Sequence, residues 1–191
     1  VEKNVKKWYN FENPLLLLAR GIVSIQALTT FTSLMITFSG TYDCKMDPKG
    51  RIVLPARLKA RLPDAAEQKI VILLGFRKCL TIYTMAQWEE RLQSFANVSE
   101  YDEEGQQFIR DFTYGMAEET LDGVGRFSLN KKMIQYAGLT SDVILAGVGS
   151  KIEVWNAEDY EKSLTPMTER GKLQPIARGI FDVPKKPENL N

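Results

Sequence analysis

The sequence predicts a mostly β protein with peripheral helices, an α+β class in which two tandem copies of one unit complete each other as an intramolecular pseudo-dimeric barrel. Three observations carry that expectation. First, Asp47-Pro-Lys-Gly-Arg51-Ile-Val-Leu-Pro55 returns 75 positions later as Asp122-Gly-Val-Gly-Arg126-Phe-Ser-Leu-Asn130. Second, VILLG at 71–75 returns as VILAG at 143–147, and CLTIY at 79–83 as KIEVW at 151–155, at an offset of 72. Blocks repeated in the same order, with a shortened loop between them, mark a duplication. Third, a unit of about sixty residues with strands this short buries too little surface alone, so the copies are expected to share a core.

The elements follow in chain order. Residues 1–34 show no period: a basic start, VEKNVKKWYN, precedes the apolar LLLLARGIVSIQALTTF. The uninterrupted apolar run at 15–19 is short for a secretory signal and is broken by Arg20. A membrane span needs about 20 predominantly apolar residues, and Ser24, Gln26, Thr29 and Thr30 intervene as well. The expectation is a leader from an over-extended start, with Met35 as the true first residue and the opening valine a literally translated GTG codon.

Residues 41–46 alternate weakly, as a short strand does. Asp47-Pro48-Lys49-Gly50 has tight-turn chemistry: Asp at the first position, Pro presetting φ, Gly tolerating positive φ. Residues 51–54 form the return strand, and Pro55 suits the first turn of a short helix over 56–62. Residues 70–76 and 79–83 make a second hairpin turned at Arg77-Lys78. The first copy closes with a helix over 85–95, where Trp88, Leu92 and Phe95 fall at helical spacing. Tyr101, Phe108, Ile109, Phe112 and Met116 share one stripe of a linking helix over 101–116, for which core packing is sufficient reason. The second copy repeats the order, with a hairpin turned near Gly149-Ser150 and a closing helix over 157–163. The expected organisation is thus a leader at 1–34, a first repeat at 35–100, the linking helix and second repeat at 101–164, and an irregular tail at 165–191. That tail holds four of the eight prolines.

The chain has no histidine and two cysteines. It therefore lacks the usual general base and the commonest zinc ligand, and a closed zinc site is out of reach. Two lone cysteines, Cys44 and Cys79, make no disulfide framework and suit a reducing cytoplasm. Gly147-Val-Gly149-Ser150 falls in a hairpin turn rather than between strand and helix, with no Walker lysine after it. Glu103-Glu104 and Glu118-Glu119 are sequence neighbours that read as solvated faces. No catalytic residue, metal, cofactor or small-molecule substrate is expected.

Formal net charge is +1, but its distribution is uneven. Residues 43–78 hold nine basic and four acidic side chains, whereas 85–122 hold two basic and ten acidic. Within the basic half, Pro48 and Gly50 stiffen a turn that projects Lys49 and Arg51 with little entropy to lose. Arg51 can fork two hydrogen bonds to a phosphate or a guanine edge, and Lys49 suits phosphate neutralisation. Asp47 is expected to pair with Arg51 across the turn and hold it. For Arg126 a structural pairing and a binding role both stand. Lys45 and Arg57 are candidate outer phosphate contacts, or simply solvated surface.

At these residues the chain resembles a known family. GTYDCKMDPKGRIVLP, DGVGRFSLNKKMIQYAGL and VILAGVGSKIEVW are similar to the MraZ family of bacterial transcriptional regulators over about residues 35–164, including two signatures of the form D-x-x-x-R. The resemblance implies two AbrB-like swapped-hairpin units and assembly into a ring-like homo-oligomer. It further implies a cytoplasmic, nucleoid-associated protein that binds direct repeats in double-stranded promoter DNA and regulates, as a repressor, the division and cell-wall operon. It places DNA contact at Asp47–Arg51 and Asp122–Arg126; read with the loop chemistry above, the candidate contacts are Lys49, Arg51 and Arg126 with Lys45 and Arg57 outside them, and the candidate loop supports are Asp47, Gly50, Asp122 and Gly125. Two departures mark the second copy: Asn130 stands opposite Pro55, and Val124 opposite Lys49. Residues 35–164 carry 16 basic and 19 acidic side chains, so affinity per subunit is expected to be modest and a ring to compensate by multivalency. The alternative is a non-catalytic oligomeric assembly module whose acidic half docks a protein partner.

Overall fold

The computed structural model describes residues 37–62 and 68–181, so the expected leader at 1–34 lies outside the described residues. The first copy runs β1 (Phe38–Lys45), β2 (Arg51–Val53), α1 (Ala56–Lys59), β3 (Lys69–Leu74), β4 (Leu80–Thr84) and α2 (Met85–Phe95). The helix α3 (Glu103–Thr113) links it to β5 (Ala117–Thr120), β6 (Arg126–Ser128), α4 (Lys131–Tyr136), β7 (Asp142–Gly149), β8 (Lys151–Asn156) and α5 (Ala157–Ser163). The fold is mixed α/β, and its sheets are antiparallel: six strands in the order β1-β7-β8-β4-β3-β5, and a two-stranded ribbon of β2 and β6.

Exchanging the copies (β1 for β5, β2 for β6, β3 for β7, β4 for β8) leaves both strand orders unchanged. Among the strands of the described residues, the β3–β4 and β7–β8 hairpins are the ladders within a copy; β1 with β7, β3 with β5, β4 with β8 and β2 with β6 all join the two.

Two expectations need correction. The sheets form no closed barrel among the described residues, since β1 and β5 remain as edges of an open sheet. The strands flanking Asp47–Gly50 also do not continue as a hairpin. Beyond one bridge between Met46 and Ile52 they diverge, and β1 instead pairs with β7 over eight positions, from Phe38 opposite Gly149 to Lys45 opposite Asp142. Three-residue β2 could not have offered β1 that many partners. The longer ladder gives more of the backbone N–H and C=O groups of β1 a partner.

The core draws on both copies. Ile52, Leu58, Ile72, Phe127, Met133 and Ile152 are all within 1% of complete burial. Alternation along β3 splits its side chains: Ile70 and Ile72 enter this core, while Val71 and Leu73 join Tyr83 and Trp88 in a smaller cluster on the other face. Helix α2 covers that cluster and begins with a reciprocal cap. Gln87 N donates to Thr84 Oγ1 at 3.3 Å, and Thr84 N donates to Gln87 Oε1 at 3.1 Å. The stripe of the linking helix is only partly used for packing. Phe112 is half-buried against Phe95 and Trp88, but Phe108 is exposed, and Tyr101 and Met116 fall outside α3 and are exposed.

Among the described residues, those from Glu158 to Phe181 belong to a separate compact unit. Where the sequence predicts an irregular tail, the chain forms a 3-10 helix at Met167–Leu173 and α6 at Gln174–Phe181. Pro166 immediately precedes the first, and Pro175 falls in the first turn of the second, where a missing N–H leaves no helical bond unmade.

Candidate nucleic-acid interface

The two repeated turns close in the same way. In the first, Asp47 N donates to Arg51 O at 2.9 Å and Gly50 N to Asp47 O at 2.9 Å. Asp47 Oδ1 accepts from the backbone N–H of Lys49 and of Arg51, both at 2.9 Å, and Oδ2 accepts from Arg51 Nε at 2.7 Å. Arg51 Nη2 lies 2.6 Å from the same Oδ2. In the second, Asp122 Oδ1 accepts from Val124 N at 3.0 Å and Arg126 N at 2.9 Å, and Oδ2 from Arg126 Nε at 2.7 Å. One carboxylate thus folds the turn and fixes the arginine that leaves it.

These bonds account for the acidity of both carboxyls. The Arg51 side chain, then the Arg51 backbone N–H, hold Asp47 below the ordinary carboxylate range. At Asp122 the Arg126 backbone N–H is the larger influence and its side chain the next, and the carboxyl titrates at about 2.

The strands that follow bring the turns together. In the ribbon Arg51 stands opposite Ser128, Ile52 opposite Phe127, and Val53 opposite Arg126. Side chains alternate along each strand, so Ile52 and Phe127 enter the core while Arg51, Val53, Arg126 and Ser128 share the outer face. Arg51 and Arg126 become diagonal neighbours, with Cβ atoms about 7–8 Å apart or less. Each turn is also tied to the other copy: Leu129 N donates to Gly50 O at 2.8 Å and Leu54 N to Gly125 O at 2.9 Å. Both glycines need positive φ, 74° and 87°, to make these closures.

The guanidinium N–H groups not bound to aspartate remain available at the outer face. An arginine presents five donors, and a planar edge suffices to fork onto a phosphate or a guanine. A two-stranded antiparallel ribbon is also one of the two elements that the major groove admits.

The family model described as "MraZ protein, putative antitoxin-like" matches residues 37–110 and 112–180. The chain belongs to the MraZ family. Among relatives, each named transcriptional regulator MraZ, the chain is 37% identical over 127 residues to that of Cytophaga hutchinsonii, covering 66% of this chain and 84% of the relative. It is 33% identical over 131 residues to that of Flavobacterium psychrophilum (68% and 83%) and 31% identical over 131 residues to that of Christiangramia forsetii (68% and 84%). The relatives carry the name of transcriptional regulators and not of enzymes, as the histidine-free composition leads one to expect. Burial, and then Glu153, push the Cys79 thiol up to about 11, and burial followed by Asp43 raises Cys44, so neither is poised as a thiolate. Among the described residues no group of three or more metal-ligating side chains forms, and no helix is long and apolar enough to cross a membrane.

The remaining basic residues separate. Lys49 sits at the exposed tip of the first MraZ signature. Lys45 is held by Asp142 across the β1–β7 ladder, an exposed pair that removes it from the loop's free charge. Arg57 and Arg61 line a depression beside Ser39 and Tyr42. Three residues of this surface are missing from the sequence-derived set. Val53 and Ser128 gain their place from the β2–β6 register, and Lys59, from α1, lies against Gly125 of the second turn. Nothing local in the sequence signals any of the three.

Proposed function

We propose that this MraZ chain is a DNA-binding transcription regulator that contacts double-stranded promoter DNA through the outer face of the β2–β6 ribbon and its two flanking turns. The observation that carries the reading is the convergence of Arg51 and Arg126, 75 positions apart in sequence, on one exposed ribbon face, each oriented by its own aspartate. Lys49, Arg51 and Arg126 are the principal contacts. Asp47, Gly50, Asp122 and Gly125 shape the turns, and Lys45 and Arg57 are at most peripheral. The exchange-symmetric strand order supports two AbrB-like swapped-hairpin units acting as an intramolecular pseudo-dimer.

Residues 35–164 carry a net −3, so one chain offers few uncompensated cations. A ring-like homo-oligomer on direct repeats supplies the missing affinity by multivalency. The exposed aromatic side chains Phe76, Tyr101 and Phe108 support self-association. In this reading the regulator is a cytoplasmic, nucleoid-associated repressor of the division and cell-wall operon.

The test is binding to the chain's own upstream promoter DNA and to a scrambled duplex across a salt series, with Arg51→Ala alongside and assembly followed by light scattering. Salt-sensitive preference for the promoter that Arg51→Ala abolishes without dissociating the oligomer is the expected result. Equal binding to both duplexes, unchanged in the variant, would transfer the function to an assembly module with a protein partner.

A further inference from the structure

The two turns match in hydrogen bonding and differ in charge. The first carries Lys49 at its tip, where the second carries Val124, 65% exposed. The side chain lying over each turn's glycine differs as well. After the Leu54–Gly125 and Leu129–Gly50 tethers, the chain enters α1 and α4 respectively, so each helix leans on the turn of the opposite copy. A Cβ placed at Gly50 would sit 2.9 Å from Ile134 Cδ1. A Cβ at Gly125 would sit 3.0 Å from Lys59 Cδ and 3.2 Å from Lys59 Nζ. Lys59 and Ile134 are the same position in the two copies, separated by the repeat offset of 75.

We propose that Lys59 is the phosphate-contacting cation of the second turn, supplied from the other copy in place of the missing tip lysine. Each turn then presents one aspartate, one arginine and one lysine: Asp47, Arg51 and Lys49 in the first, Asp122, Arg126 and Lys59 in the second. The swapped tethers make this possible, because they bring the end of α1 to the Asp122 turn rather than to its own. Lys59 is half-buried, with the end of its stem and its ammonium both lying over Gly125 of the turn. Among the described residues, the ion pairs at this end of the molecule are Arg51–Asp47, Arg126–Asp122 and Lys45–Asp142, and none of them engages Lys59. A lysine so placed neutralises phosphate as a point charge and does not read bases. The inference rests on the DNA-binding reading above and assigns both turns equal weight on the DNA backbone.

The full chain is tested on its promoter duplex and on a scrambled duplex between about 50 and 200 mM salt, where each phosphate contact contributes about 0.9 to the log–log slope. Lys59→Met keeps the stem over Gly125 and removes the charge. It is expected to lower the slope by about 0.9 for each second turn engaged, to weaken both duplexes alike, and to match Lys49→Met. Adding Val124→Lys to Lys59→Met is expected to restore the slope. A second pair guards against misfolding: Lys59→Arg should keep the wild-type slope and Lys59→Gln should lose it. If Lys59→Met leaves the slope unchanged while Arg51→Ala abolishes binding, Lys59 is a packing lid and the inference fails alone. If the wild type binds neither duplex, the DNA reading fails and this inference with it.

Discussion

Replacing each turn glycine by alanine separates two costs that the pseudo-symmetric loops would otherwise hide. Gly50 and Gly125 both have positive φ, 74° and 87°, so alanine at either carries the left-handed penalty of about 1–2 kcal/mol. Part of this is offset, by about 0.4–1 kcal/mol, because alanine also restricts the unfolded chain. The surroundings then diverge. At Gly50 the new Cβ lies 2.9 Å from Leu129 O, a backbone atom of the residue whose N–H tethers the turn, and 2.9 Å from Ile134 Cδ1. The Ile134 methyl can rotate aside, but the Leu129 carbonyl cannot yield without moving the backbone at the end of the β2–β6 ribbon, and such overpacking costs about 1–3 kcal/mol more. At Gly125 the nearest atoms belong to the Lys59 side chain, at 3.0, 3.2 and 3.4 Å, which can swing into solvent. Gly50→Ala is therefore expected to destabilise by about 2–4 kcal/mol and Gly125→Ala by about 1 kcal/mol. Urea unfolding reads both as shifts of midpoint at constant slope. Gly123→Ala is the control: it has no atom within 4 Å of its Cβ and lies outside the left-handed region, so its change should stay within about 0.5 kcal/mol. Equal losses at Gly50 and Gly125, or a larger one at Gly125, would refute the assignment of rigid and yielding neighbours.

Phe127→Ala removes the ribbon's inner anchor, 1% exposed, and is expected to lower stability by about 3–5 kcal/mol in the same urea assay; a loss under about 1 kcal/mol would mean the ribbon is not seated on the core. The turns also predict a pH dependence. Asp122 titrates at about 2 in the fold against an ordinary 3.8, so its stabilisation is complete above 3.8 and is lost as pH falls through about 2. Melting temperatures of wild type and Asp122→Asn should accordingly converge as pH falls through that window, and a gap that persists undiminished below it would contradict the assignment.

What could be read directly from the chain was whatever is closed within a few residues. Both Asp-x-x-x-Arg turns were legible because the aspartate's acceptors meet N–H groups two and four positions on, and the glycine completes the turn whatever lies beyond. The β3–β4 hairpin and α2, at Met85–Phe95, were legible for the same reason: a short turn and a Thr84–Gln87 cap are local. The expected pairing of Asp47 with Arg51 likewise needs only one loop.

The partner of each strand was not legible. Residues 41–46 and 51–54 look like a hairpin, yet β1 runs along β7 and β2 along β6, because a ladder's stability depends on its whole length and on the face it buries. Those registers put Arg51 and Arg126 on one outer face, expose Val53 and Ser128 beside them, and seal Ile52 and Phe127 beneath. They also leave the sheet open and carry Lys59 to a turn 66 positions away. The sequence by itself determined two rigid, arginine-bearing turns and their duplication. Only the tertiary structure decided that the turns share a ribbon and that each is completed by the other copy, since local hydrogen bonds set a turn's shape while the burial of shared apolar faces sets where it is placed.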